Sequence, residues 1–151
     1  MIRILVSACL LGDPVRFDGQ AKTIRDPRWD RWAAEGRLVP LCPEVAGGLP
    51  VPRPPAERQA DGRVRDDRGE DRTGEFERGA QHALAAAREA GCTLAILKEG
   101  SPSCGVRRIY DGTFSRTALP GEGLTTELLR RHGLAVFSEA ELDQVERLLQ
   151  A

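Results

Sequence analysis

Four short, almost wholly apolar runs, at 2–8, 37–42, 93–97 and 134–137, recur along the chain, separated by segments with helical signals. Runs of this length without polar alternation read as strands buried on both faces, and strands alternating with helices give a covered parallel sheet. The expected fold is α/β, a Rossmann-like three-layer sandwich with a mostly parallel sheet of about four strands plus hairpin insertions. No G-x-G-x-x-G follows the first run, so no dinucleotide site is indicated.

The intervening segments carry their own punctuation. Asp26 suits an N-cap and Pro27 the first helical position, for a short helix ending near Gly36. An alanine-rich helix is expected from about 73 to 90, stopped by Gly91, and another from about 123 to 132, ending at Gly133. Ser138 and Glu141 form a capping-box pattern opening a last helix, with Leu142, Val145, Leu148 and Leu149 on one face. Asp61-Gly62 marks a hairpin tip within the charged stretch 56–72. Asp111-Gly112 predicts a two-residue turn between 107–110 and 113–115.

Three of the four cysteines fall just beyond these runs. Cys9 ends the first, Cys42 ends the second, and Cys104 follows the third by a short loop. In an open parallel sheet the crevice outside the carboxyl ends of the strands is where ligands bind. Three thiols distant in sequence are therefore expected to meet there. Cys92 sits at the other end of its strand and reads as a core thiol. The spacing contains no C-x-x-C, and His82 and His132, both on predicted helices, read as structural or solvated.

Soft thiolates select zinc, copper(I) or iron–sulfur clusters, and three of them leave one iron of a four-iron cluster open. The residues thus point to an open-site cluster, with a zinc-dependent hydrolase behind it. Glu44, two residues after Cys42, lies within reach of anything bound there and is a candidate general acid/base. Ser101 and Ser103 flank Pro102 ahead of Cys104, and one hydroxyl could reach a substrate. Lys98-Glu99 reads as a solvated loop or an edge of the pocket.

The 151 residues are expected to form a single domain, 1–151, large enough to bury a core without disulfides. A net charge of −1 gives no reason to expect nucleic acid or a membrane surface as partner. No segment has the layout of a signal peptide or the length of a transmembrane helix, so a cytoplasmic location is expected. In a reducing compartment such cysteines are metal-binding or catalytic rather than paired.

At Cys9-Leu10-Leu11-Gly12, Arg16-Phe17-Asp18-Gly19, Leu41-Cys42-Pro43-Glu44 and Ser101-Pro102-Ser103-Cys104-Gly105 the chain resembles the bacterial thiouracil desulfidase family. Gly47-Gly48-Leu49-Pro50-Val51-Pro52-Arg53 and the stretch from Gly69 through Asp71 to Thr73 are similar to it as well. The resemblance implies an oxygen-sensitive [4Fe–4S] cluster held by Cys9, Cys42 and Cys104. It also implies a non-redox reaction in which water attacks the thiolated carbon of a pyrimidine and a carbonyl oxygen replaces the sulfur. Glu44 would move protons, with Ser101 as its helper and Ser103 a weaker candidate. A small thiolated base or nucleotide is the implied partner, 4-thiouridine monophosphate among them, with no large nucleic acid and a homodimer allowed. Arg16, Lys22, Arg107 and Arg108 are candidates for its phosphate, Phe17 for stacking on the ring, and Asp18 stands beside them. A sensor that binds a metal or cluster without turnover is the other reading, and Glu44 is the feature a sensor does not need.

Overall fold

The computed structural model describes residues 1–151. The chain runs β1 (Arg3–Ser7), a 3-10 turn (Ala8–Leu11), α1 (Pro27–Ala34), β2 (Leu38–Leu41), α2 (Pro43–Ala46), β3 (Ala56–Arg58) and β4 (Val64–Asp66). It continues through α3 (Thr73–Ala90), β5 (Cys92–Leu97), β6 (Arg108–Tyr110), β7 (Ala118–Pro120), α4 (Leu124–Arg131), β8 (Ala135–Ser138) and α5 (Leu142–Gln150). The four apolar runs form one parallel sheet in the order β2-β1-β5-β8, with Leu5 opposite Val39 and Ala95, and Ala95 opposite Val136.

Side chains alternate across each strand, and both faces are apolar. Leu5, Ala95 and Leu97 pack with Ala83, Leu84 and Ala87 of α3 and Leu129 of α4. Ile4, Val6, Leu94 and Ile96 pack instead with Trp29 and Trp32 of α1 and Leu142 and Val145 of α5. Three layers result. Trp29 and Trp32 are 2% and 1% exposed, so each contributes on the order of 2 kcal/mol or more by burial.

Local chemistry sets the helix ends. The Asp26 carboxylate accepts the Arg28 amide at 2.9 Å, and Pro27 occupies the first turn of α1. Glu141 accepts the Ser138 amide at 3.0 Å while the Ser138 hydroxyl accepts that of Ala140, which fixes the turn into α5.

Two local expectations are corrected. The turn at Asp111-Gly112 is not a two-residue hairpin: β6 pairs with β7, Tyr110 opposite Ala118, and residues 111–117 form a wider loop. Asp111 accepts the Thr113 amide and hydroxyl, while Gly112 and Phe114 donate to Glu57 on β3, so the tight turn is outcompeted. The Pro43–Ala46 stretch forms a helical turn, because Cys42 is extended and Pro43 suits a first turn. Cys92 is the first residue of β5 rather than a residue ahead of it, paired with Arg3.

Candidate functional site

Each of three cysteines leaves a neighbouring strand of the sheet at its carboxyl end. Cys9 lies on the 3-10 turn after β1, which Gly12 closes in the left-handed region at φ 98°. Its carbonyl accepts the Lys22 amide at 2.9 Å, tying the following loop to the turn. Cys42 precedes α2. Cys104 is held from several directions: its amide donates to Ser101 Oγ at 2.7 Å, and its carbonyl accepts from Thr126 Oγ1 at 3.1 Å. The first amides of α4 donate to the carbonyls of Pro102 and Ser103, and Ser103 Oγ meets Thr125 Oγ1 at 2.9 Å.

Cys9, Cys42 and Cys104 line one cavity of about 610 Å³, together with Glu44, Ser101, Arg16 and Phe17. That volume falls within the range of small-molecule sites. Ser103 is buried outside its lining, and Asp18, Lys22, Arg107 and Arg108 do not line it either. Asp18 accepts the Gln20 amide in its own turn, and Arg107 forms an ion pair with Glu141 at the start of α5. Lys98 and Glu99 do line the cavity. A larger groove, about 920 Å³ between α3 and α4, contains no cysteine.

All four cysteines are free thiols. Burial pushes the Cys9 thiol up to about 11, and the nearby Cys42 adds to this against the pull of Arg16 and Lys98. Burial likewise raises Cys104 to about 12, with Ser7 and Ser103 opposing and the charges of Glu44 and Cys42 reinforcing. Cys42 moves the same way for the same first reason. The three thiols are therefore neutral without a metal, and binding one would release protons. No three His, Cys, Asp or Glu side chains converge tightly enough to grip a single ion.

Two of the lining cations are paired with carboxylates. Glu44 accepts from Arg53 Nε at 3.1 Å, and Arg53 also donates to the carbonyls of Pro50 and Val15. Burial holds the Glu44 carboxyl above its usual range even though Arg53 pulls it down. Lys98 pairs with Glu139 at 2.9 Å. The other two cations, Arg16 and Arg116, have no carboxylate partner, and the Arg16 guanidinium lies 6.0 Å from the centre of the Phe17 ring.

Sequence reasoning missed Glu57, Tyr110, Phe114 and Arg116, all of which line the cavity. They arrive on the two hairpins β3–β4 and β6–β7, whose sequences carry turn signals but no pattern that points to a binding site. Arg53 stood within a quoted Gly/Pro stretch, but nothing local revealed that it would meet Glu44.

Fold and cavity together define a small Rossmann-like α/β protein with a three-thiol site outside the carboxyl ends of its strands. A sequence model of the family described as 2-thiouracil desulfurase matches residues 4–141, and the chain belongs to that family. It is 38% identical to the uncharacterized protein YbbK of Bacillus subtilis (strain 168), over 94% of this chain and 99% of that one. A solved structure described as a [4Fe–4S]-dependent thiouracil desulfidase, TudS, is 55% identical, covers 99% of each chain and superposes with a TM-score of 0.96.

Proposed function

We propose that this protein removes sulfur from a small thiolated pyrimidine, giving the oxo form and sulfide, with a [4Fe–4S] cluster held by Cys9, Cys42 and Cys104. The observation that carries the reading is that these three thiols and Glu44 line one cavity. Membership of the thiouracil family and the 55% identity to a [4Fe–4S]-dependent desulfidase support the cofactor and the substrate class. When bound, the cluster supplies a soft Lewis acid suited to a thiocarbonyl sulfur.

The chain's own residues account for the protons. Replacing C=S by C=O with water requires both protons to leave the water oxygen, one ending on the departing sulfur as hydrosulfide and the other passing through a base to sulfur or solvent. Glu44, lifted by burial toward neutral pH yet fixed by Arg53, is placed to take a proton and return it. Ser101 Oγ accepts from the Cys104 amide, which leaves its own proton free to donate toward the developing oxygen. Ser103 acts on the Cys104 loop rather than on substrate, since its hydroxyl is engaged with Thr125 and accepts from the Cys104 thiol at 3.8 Å. Phe17 offers a face for the ring, and Arg16 and Arg116 are the lining cations left free to meet an anion, so a nucleotide such as 4-thiouridine monophosphate is the preferred substrate.

The test is anaerobic loading with iron and sulfide, then addition of 4-thiouridine monophosphate while the thiocarbonyl absorbance and free sulfide are followed. Loss of the band with one sulfide released per turnover is expected, and Cys9→Ala should abolish it. Glu44→Gln should retain cluster absorbance but lower turnover by about 10² or more. A loaded wild-type protein that binds the nucleotide without releasing sulfide would make it a sensor.

A further inference from the structure

Phe114 and Arg116 of the 111–117 loop form part of the cavity wall, and that loop holds an unusual conformation. Phe114 and Arg116 both lie in the left-handed region at φ 59°, a costly place for residues with a Cβ. Such a backbone persists only where something outside it dictates the shape. Glu57 on β3 supplies that constraint. Its side chain is 92% removed from solvent, and one carboxylate oxygen accepts the Gly112 amide at 2.9 Å and the Phe114 amide at 3.1 Å. Gly112 itself sits so close to the end of β3 that a Cβ would lie 3.2 Å from the Arg58 carbonyl.

We infer that Glu57 is a positioning residue that clasps the 111–117 loop so that Phe114 and Arg116 receive the sugar-phosphate half of a nucleotide. The inference rests on the desulfidase reading for the substrate's base but not for the clasp itself. Of the four cations lining the cavity, Arg53 and Lys98 are committed to Glu44 and Glu139. Arg116 and Arg16 are the two left to meet an anion. Arg16 belongs to the loop that follows the Cys9 turn, whereas Arg116 comes from the separate β6–β7 hairpin with Phe114 and Tyr110. A cavity of 610 Å³ is far larger than one pyrimidine ring, and Asp67 on the same lining offers an acceptor for ribose hydroxyls. A thiolated base bound at the cysteines would thus extend its sugar and phosphate toward this wall. Without Glu57 the loop leaves its strained shape, and only the fraction still in that shape binds, which weakens the apparent affinity in proportion.

Two measurements on the cluster-loaded protein test this. Hydrogen–deuterium exchange over the peptide 111–117 should rise in Glu57→Ala and rise less in Glu57→Gln, which can still accept one amide. Titration with uridine monophosphate and with uracil should show their affinity ratio falling about tenfold in Glu57→Ala. Arg116→Ala should lower the same ratio without raising exchange. Unchanged exchange, or an unchanged ratio with exchange raised, overturns the clasp, as does a wild-type protein that binds both ligands equally. If the ratio depends on Glu57 but the wild type releases no sulfide from 4-thiouridine monophosphate, the desulfidase reading fails and the clasp is supported.

Discussion

The free thiols belong to two different environments, and position rather than exposure separates the three buried ones. Cys9, Cys92 and Cys104 are 7%, 7% and 5% exposed, so accessibility alone would group them. Cys92 begins β5 within the apolar layer under α3, at the amino end of the sheet, and has no polar partner. Its replacement by alanine removes one sulfur from a packed core, a loss of about 1 kcal/mol. Cluster content should be unaffected. Alanine at Cys9, Cys42 or Cys104 should instead reduce bound iron sharply while costing the apo-protein no more stability than Cys92→Ala. Iron and sulfide assays on the four variants, alongside urea unfolding of their apo forms, check both statements. Equal iron loss in Cys92→Ala would place the cluster elsewhere.

At the scale of elements, the placement of Cys42 and Glu44 depends on how closely α2 lies against α3. The two helices touch backbone to backbone at a pair of glycines. A Cβ on Gly79 would lie 2.0 Å from the Pro43 carbonyl oxygen, and one on Gly47 would lie 2.0 Å from that of Glu75. Helix propensity favours alanine at Gly79 by about 1 kcal/mol. The overlap is with rigid backbone, where overpacking costs about 1–3 kcal/mol and α2 must move. Gly79→Ala should therefore destabilise the protein by about 1 kcal/mol net and lower desulfuration further than that loss explains. Gly74→Ala is the control, because its Cβ would meet only the mobile end of Arg78 at 3.4 Å. It should be neutral or stabilising in thermal unfolding.

The same element contact shows what could be read in advance. Strand runs, the long α3 and the capped α1 were legible because local chemistry decides them: apolar runs, Asp26-Pro27 and Gly91. The capping box expected at Ser138 is not formed: α5 starts at Leu142 without a side-chain cap, and Glu141 instead accepts the Ser138 amide in the turn before it. The convergence of Cys9, Cys42 and Cys104 was legible from topology, since parallel strands send their carboxyl ends to one edge. The distal wall was not. Asp111-Gly112 satisfies the local rule for a tight turn, and only Glu57, more than fifty residues away, selects the wider loop. The Arg53–Glu44 pair is likewise a contact across a Gly/Pro stretch whose path no local pattern dictates.

For the molecule as a whole, charge rather than the core sets the acid limit of stability. Several carboxyls are held below their usual range, and two of them are buried. Asp66 loses hydration, but the amides of Glu70 and Arg68 and the Arg72 guanidinium outweigh that cost. Glu141 is in the same balance, with Arg107 and the Ser138 amide prevailing over burial. Asp26, Asp61, Asp71 and Asp111 are depressed too, but their exposure to solvent lets salt screen their pairing. A carboxyl whose folded value lies below its unfolded one contributes stability at pH values above the unfolded value. That contribution disappears as pH falls through the folded value. Unfolded Asp and Glu titrate near pH 4, so these carboxyls make apo-protein stability fall steeply below about 4, while Glu44, raised by burial, acts in the opposite direction above that. The Asp66→Asn and Glu141→Gln double variant removes the two buried contributors. It should be less stable than wild type at pH 7 by about 2 kcal/mol, with the gap narrowing toward zero as pH falls below 3. Urea midpoints of both proteins across pH 2–7 measure this. A gap that stays constant to pH 2 would mean that the two side chains act through shape and hydrogen bonding rather than through their charge.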